Sequence, residues 1–169
     1  TTSVGDITQT GAITTGAPSS ISSSTGDITL TNPGNSFFGT TSLVATLGDL
    51  SFAGSVAGSL ATTSGGATSF GLTTLTGGLT TVSVGDITQT GAITTGAPSS
   101  ISSSTGDIAL TNPGNSFFGA TSLTATLGDL GFAGSVAGSL TTTSGGATSF
   151  GATTLTGGLT TNSVGDITQ

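Results

Sequence analysis

The sequence predicts an all-β protein, a parallel β-helix (β-solenoid) winding about 20 residues per coil, with four coils per 80-residue repeat. Three observations predict it. Residues 1–80 align without a gap with 81–160, 73 of 80 positions being identical, and 161–169 begin a third copy. Inside each copy a shorter unit restarts at Gly5, Gly26, Gly48, Gly65 and Gly85, at spacings of 21, 22, 17 and 20. Between these starts, apolar and polar residues alternate with period two, as strands require.

The elements follow in chain order. Gly5-Asp6-Ile7 opens a coil at a corner, with Ile7 as the first inward residue. Gly16-Ala17-Pro18 marks a further corner, because Pro cannot donate to a strand ladder. Asp27-Ile28-Thr29-Leu30-Thr31 is a strand, and Asn32-Pro33-Gly34-Asn35 a turn whose Pro-Gly order predicts type II. Phe37-Phe38 cannot both point inward, so one ring is expected at a bend or outside. Ser42–Leu47 and Asp49–Phe52 continue the alternation, giving an expected interior of Ile28, Leu30, Leu43, Ala45, Leu47, Leu50 and Phe52, with Thr and Ser facing out. Gly65-Gly66 opens the fourth coil without an Asp. Leu79–Val84 runs strand-like through the copy junction, so repeats 1–80, 81–160 and 161–169 are expected to form one stack without linkers. Nothing recurs at helical spacing, and no helix is expected.

Composition narrows the function. Thr, Ser and Gly make up 95 of 169 residues, a bias that suits exposed strand faces and tight turns, with Gly supplying positive φ. There is no Lys, Arg or His, and the net charge is −7. Nucleic acid, whose binding releases counterions to cationic side chains, is excluded as a partner, and so is an anionic membrane surface. No apolar run approaches the length of a membrane span, so no membrane insertion is expected. Without Cys there is no disulfide framework or thiolate metal site. Without His, Cys, Lys, Tyr, Glu or Arg, no Ser has a base to activate it, so no catalytic residue and no enzyme is expected.

All the acidic residues fall in the Gly-Asp motif: Asp6, Asp27, Asp49, Asp86, Asp107, Asp129 and Asp166. Stacked coils would place them in a row about 4.8 Å apart, interrupted at Gly66. Carboxylate oxygens in a row are the single candidate for a cation, Ca²⁺ by ligand type. One carboxylate per coil is sparse for that ion, and an Asp that accepts turn N–H groups explains the motif as a corner. No cofactor is expected.

The segments Gly-Asp-Ile-Thr-Gln-Thr-Gly-Ala-Ile (5–13 and 85–93) and Thr-Gly-Asp-Ile-Thr-Leu-Thr-Asn-Pro-Gly-Asn-Ser-Phe-Phe-Gly (25–39) resemble repeats of filamentous-haemagglutinin-like proteins, giant bacterial adhesins exported by two-partner secretion. The resemblance implies a right-handed parallel β-helix forming a long rod on the bacterial cell surface. No Arg-Gly-Asp or basic glycan-binding patch is present to carry over. Fold and resemblance together lead to the expectation of an extracellular filament or adhesin stalk of about eight coils. The chain starts without Met and ends within a motif, so it reads as a window on a longer fibre. Its expected partners are further copies of the repeat and a host or neighbouring cell surface. The functional alternatives are a Thr-rich ice-binding solenoid and a self-assembling amyloid-like matrix fibre. The architectural alternative is tandem immunoglobulin-like domains, each near 80 residues.

Overall fold

The computed structural model describes residues 1–169 and contains strands but no helix. Every strand pairing is parallel. One sheet, called flat because no register shift interrupts it, carries a rung from each coil: Thr2–Ser3, Ser19–Ser23, Thr41–Ala45, Leu60–Ser64, Leu79–Ser83, Ser99–Ser103, Thr121–Ala125, Leu140–Ser144 and Leu159–Ser163. Nine rungs make nine coils, one more than expected, the ninth being the partial third copy. At about 4.8 Å per rung the stack is roughly 40 Å tall. Immunoglobulin-like domains, which are built from antiparallel sheets, do not describe it.

The second sheet is bulged. Its rungs include Ile28–Leu30, Leu50–Ala57, Thr68–Leu75 and Ile87–Gln89, and the register shifts between Phe52 and Gly54 and again between Phe132 and Gly134. Gly54 has a φ of 129°, a conformation open to Gly, and a Cβ there would strike Asn35 of the coil below. Ile7, Ile28, Leu50, Thr68 and Ile87 share one column, so successive coils contain 21, 22, 18 and 19 residues.

The interior holds one apolar cluster running the length of the stack, including Ile28, Leu30, Leu43, Ala45, Leu50 and Phe52. Phe37 and Phe52 tilt at 47° with centroids 6.0 Å apart, a favourable aromatic geometry, and Phe117 and Phe132 repeat it. Phe37 is buried and Phe38 is exposed, as adjacent strand positions demand. Leu79–Ser83, at the copy junction, pairs residue for residue with Leu60–Ser64, and Thr80–Ser83 pair with Ser100–Ser103 on the other side.

Four expectations need correction. Leu47 lies outside: it falls in the corner between the flat rung and Asp49, where strand alternation no longer applies, and is exposed. Ser and Thr are not confined to the outside, since Ser23, Thr41, Thr62, Ser64 and Thr81 are all buried. The turn at Asn32–Asn35 is not type II, which needs a positive φ at its third residue; Gly34 has none. Instead Asn35 N–H donates to Asn32 O at 3.1 Å while Gly34 N–H donates to Asn32 Oδ1 at 2.9 Å, an Asx-turn. Finally, positive φ occurs only at Gly39, Gly54, Gly119 and Gly134. Most corner glycines serve close approach instead: a Cβ on Gly48 would lie 2.6 Å from Asp27 Oδ1 and closer still to Gly26 O.

Candidate functional site

The Asp row exists, and backbone hydrogen bonds dictate its form. Six of the seven Asp corners send one carboxylate oxygen to the amide of the coil above. Asp27 N–H donates to Asp6 Oδ1 at 3.0 Å, Asp49 N–H to Asp27 Oδ1 at 2.8 Å, and Ala67 N–H to Asp49 Oδ1 at 2.7 Å. The second copy repeats the ladder from Asp86 through Asp107 and Asp129 to Ala147, at 2.9, 2.8 and 2.7 Å. A charge-assisted bond to a backbone donor is stronger than a neutral one, so the carboxylate fixes the corner that carries it. The interruption sits at Ala67 and Ala147 rather than at Gly66, because Gly66 N–H pairs with Gly48 O and so aligns with the corner glycine. Asp166 occupies the same corner in the ninth coil, where Asp166 O accepts from Thr148 N–H.

All seven carboxylates are exposed and no three of them come together in a set able to hold a metal ion. Neighbours in the row stand one per rung, and each bonded oxygen is already committed to an amide. The row is therefore a series of corner clamps.

A column of serines at the inward end of the flat rungs, which sequence reasoning placed outside, completes most of the clamps; in the third rung of each copy Ala45 and Ala125 take the place of the serine. Ser23 Oγ donates to Gly5 O at 2.8 Å, Ser83 Oγ to Gly66 O at 2.7 Å and Ser103 Oγ to Gly85 O at 2.8 Å. Ser64 and Ser144 reach Gly48 O and Gly128 O in the same way. Its signal in the sequence is a Ser two or three residues before most corner glycines, at Ser3, Ser23, Ser64 and Ser83, with Ala45 in its place before Gly48. A hydroxyl on one coil and a carboxylate on another thus stitch the same corner from inside and outside.

A second polar centre was also missed. Asn35 is buried, and its Nδ2 protons are shared among Gln9 Oε1 at 2.9 Å, Ala53 O at 3.0 Å and Leu30 O at 3.2 Å. Its Oδ1 accepts from Gln9 Nε2 at 2.8 Å and Ile13 N–H at 2.9 Å. One side chain thereby ties three successive coils. Asn115 and Gln89 repeat the arrangement.

The outer surface is nearly all hydroxyl and methyl. On the bulged sheet the paired positions Thr14, Ser36, Ser55, Thr74, Thr94, Ser116, Ser135 and Thr154 form an exposed column with a hydroxyl on each of eight successive coils. An open recess of about 360 Å³ lies over Ala109 and Gly131 between Asp107 and Asp129; the first copy carries Thr29 and Ser51 there.

A family model described as repeats of unknown function matches residues 1–44, 57–124 and 126–169. No curated protein and no solved structure matches the chain. With matches spanning nearly the whole of a nine-coil solenoid, the chain belongs to the family of DUF5649 repeats.

Proposed function

We propose that the chain is a structural segment of a long extracellular filament or adhesin stalk on a bacterial cell surface, setting distance and stiffness between a cell and what it touches. One observation carries this reading. The ladder of backbone bonds crosses the junction between copies with all five residues of Leu79–Ser83 in register, so adding a repeat lengthens one rod instead of adding a hinged bead. The reading assigns the segment no catalysis and no cofactor. Attachment to a host or neighbouring cell falls to other parts of the filament or to many weak contacts along it.

Supporting the reading, all seven differences between the copies fall at exposed or half-buried positions: Thr2/Val82, Thr29/Ala109, Thr40/Ala120, Val44/Thr124, Ser51/Gly131, Ala61/Thr141 and Leu72/Ala152. The interior that sets the rise per coil is held constant. A test is to image chains of two, four and eight repeats by cryo-electron microscopy. Each added repeat should lengthen an unbranched rod by about 19 Å, four rungs at about 4.8 Å. Kinks at repeat boundaries, or a larger increment, would refute a continuous stalk.

A further inference from the structure

The outer side of the flat sheet differs from the rest of the surface. Its rungs pair with no register shift from Ser19–Ser23 to Leu159–Ser163. Two outward columns run along it. One includes Ser20, Ser42, Ala61 and Thr80; the other includes Ser22, Val44, Thr63 and Val82. Neither contains a charge. Two copy-to-copy changes in the second column, Thr2/Val82 and Val44/Thr124, exchange residues of the same shape while gaining or losing a hydroxyl. The third copy puts Asn162 at the position of Thr2 and Val82, and Ala61/Thr141 in the first column changes size, so hydrogen-bonding capacity is not held constant on this face.

At the margin of this face stands the residue just before each corner glycine. In order of coil these are Val4, Thr25, Leu47, Gly65, Val84, Thr105, Leu127, Gly145 and Val164. Corner contacts put them in one column: Thr25 N–H bonds to Val4 O, a Cβ on Gly65 would meet the Leu47 Cα, and Thr105 N–H bonds to Val84 O. Every odd coil bears a large apolar side chain, exposed by 46% to 83%, and every even coil bears Thr or Gly. With Val82, this face and its margin hold six of the eleven large apolar side chains that the chain exposes. The margin is a row of teeth two rungs apart, about 10 Å, separated by gaps.

We propose that this face is a lateral interface and that its occupant is a second copy of the chain, packed face to face with the two rods antiparallel. A two-fold axis across the rods lays each toothed margin against its own copy. An offset of one rung then seats Val and Leu teeth over Thr and Gly gaps, an isologous and self-complementary fit. The area suffices: a face about 40 Å by 16 Å gives roughly 600 Å² per copy, or about 1,200 Å² in all, against the roughly 1,000 Å² a specific interface needs. Area grows with each added repeat. The same symmetry brings the two Asp rows to one edge, where their repulsion is exposed to solvent and screened by salt. The inference needs the solenoid only and stands whether or not the rod is a stalk.

Sedimentation equilibrium and small-angle scattering of the 169-residue chain test it. We expect a monomer–dimer equilibrium that strengthens with sodium chloride, the dimer being thicker than the monomer and about as long. Leu47→Ser with Leu127→Ser removes teeth; Thr25→Leu with Thr105→Leu fills gaps while adding apolar surface. Both pairs should weaken dimerisation by about tenfold or more with circular dichroism unchanged, whereas unspecific hydrophobic association would be strengthened by the second pair. A chain monomeric at every concentration and salt level overturns the proposal. So does a dimer twice as long as the monomer, a dimer indifferent to both variants, or thermal hysteresis abolished by the same substitutions, which would make ice the occupant.

Discussion

Thr68 sits in the inward column between Leu50 and Ile87, buried, with an Oγ1 that has no hydrogen-bond partner; Thr148 repeats it. Burying an unpaired hydroxyl costs about 1–3 kcal/mol, and Val offers the same branched shape without it. Thr68→Val is therefore expected to stabilise the chain by about 1 kcal/mol and to raise the melting temperature by about 2–4 °C, read by thermal circular dichroism. Thr62 and Thr81 behave differently although they are equally buried: Thr62 Oγ1 donates to Thr81 Oγ1 at 3.0 Å, so Thr62→Val leaves Thr81 unpaired and should gain nothing. Two buried threonines of one repeat thus carry opposite predictions, and only the register between coils tells them apart.

At the scale of the coil, Asn35 and Asn115 are where the stack is pinned. Asn115→Ala strands the Ile93 N–H and the Ala133 carbonyl in the interior and releases Gln89. A loss of about 2–3 kcal/mol is expected, with amide hydrogen exchange accelerated in the coils around Gln89, Asn115 and Ala133 and unchanged near Asn35. Equal acceleration at both Asn sites would contradict a local clamp. Asn35, the first-copy counterpart of Asn115, was read in the sequence only as the last residue of a turn, since nothing within Asn-Pro-Gly-Asn says that its side chain turns inward to a carbonyl 18 residues away. The parts of the coil set by local chemistry were legible. Alternation gave Ile28, Leu30, Leu50 and Phe52 their inward places, and the Gly-Asp spacing located most corners. The parts set by the neighbouring coil were not. Leu47 obeys alternation on paper but sits past the end of its rung, and the fourth corner begins at Gly66 because Gly66 N–H finds Gly48 O. The inward serines escaped for the same reason, their acceptors being 16 to 18 residues distant.

For the molecule as a whole, sequence reading delivered the architecture because the repeat itself is the fold: a unit that cannot enclose its own core must share one with its neighbours. The candidate site was legible as a row of corner acids that accept backbone N–H groups; what was not legible is that the donors are amides of the next coil. The unbroken register through Leu79–Ser83 has a mechanical meaning as well. Its hydrogen bonds run along the rod, so tension applied to the two ends loads one rung at a time. Under an atomic force microscope the chain is expected to peel in a sawtooth of small, even steps. Each step should release about 60–70 Å, the extended length of some 20 residues less one rung. A globular unit of 80 residues would instead let go some 270 Å at once. Steps of that larger size would mean that the copies yield as separate bodies. With the small steps, a tether of this kind gives way gradually, surrendering length coil by coil while the rest of the rod keeps its shape.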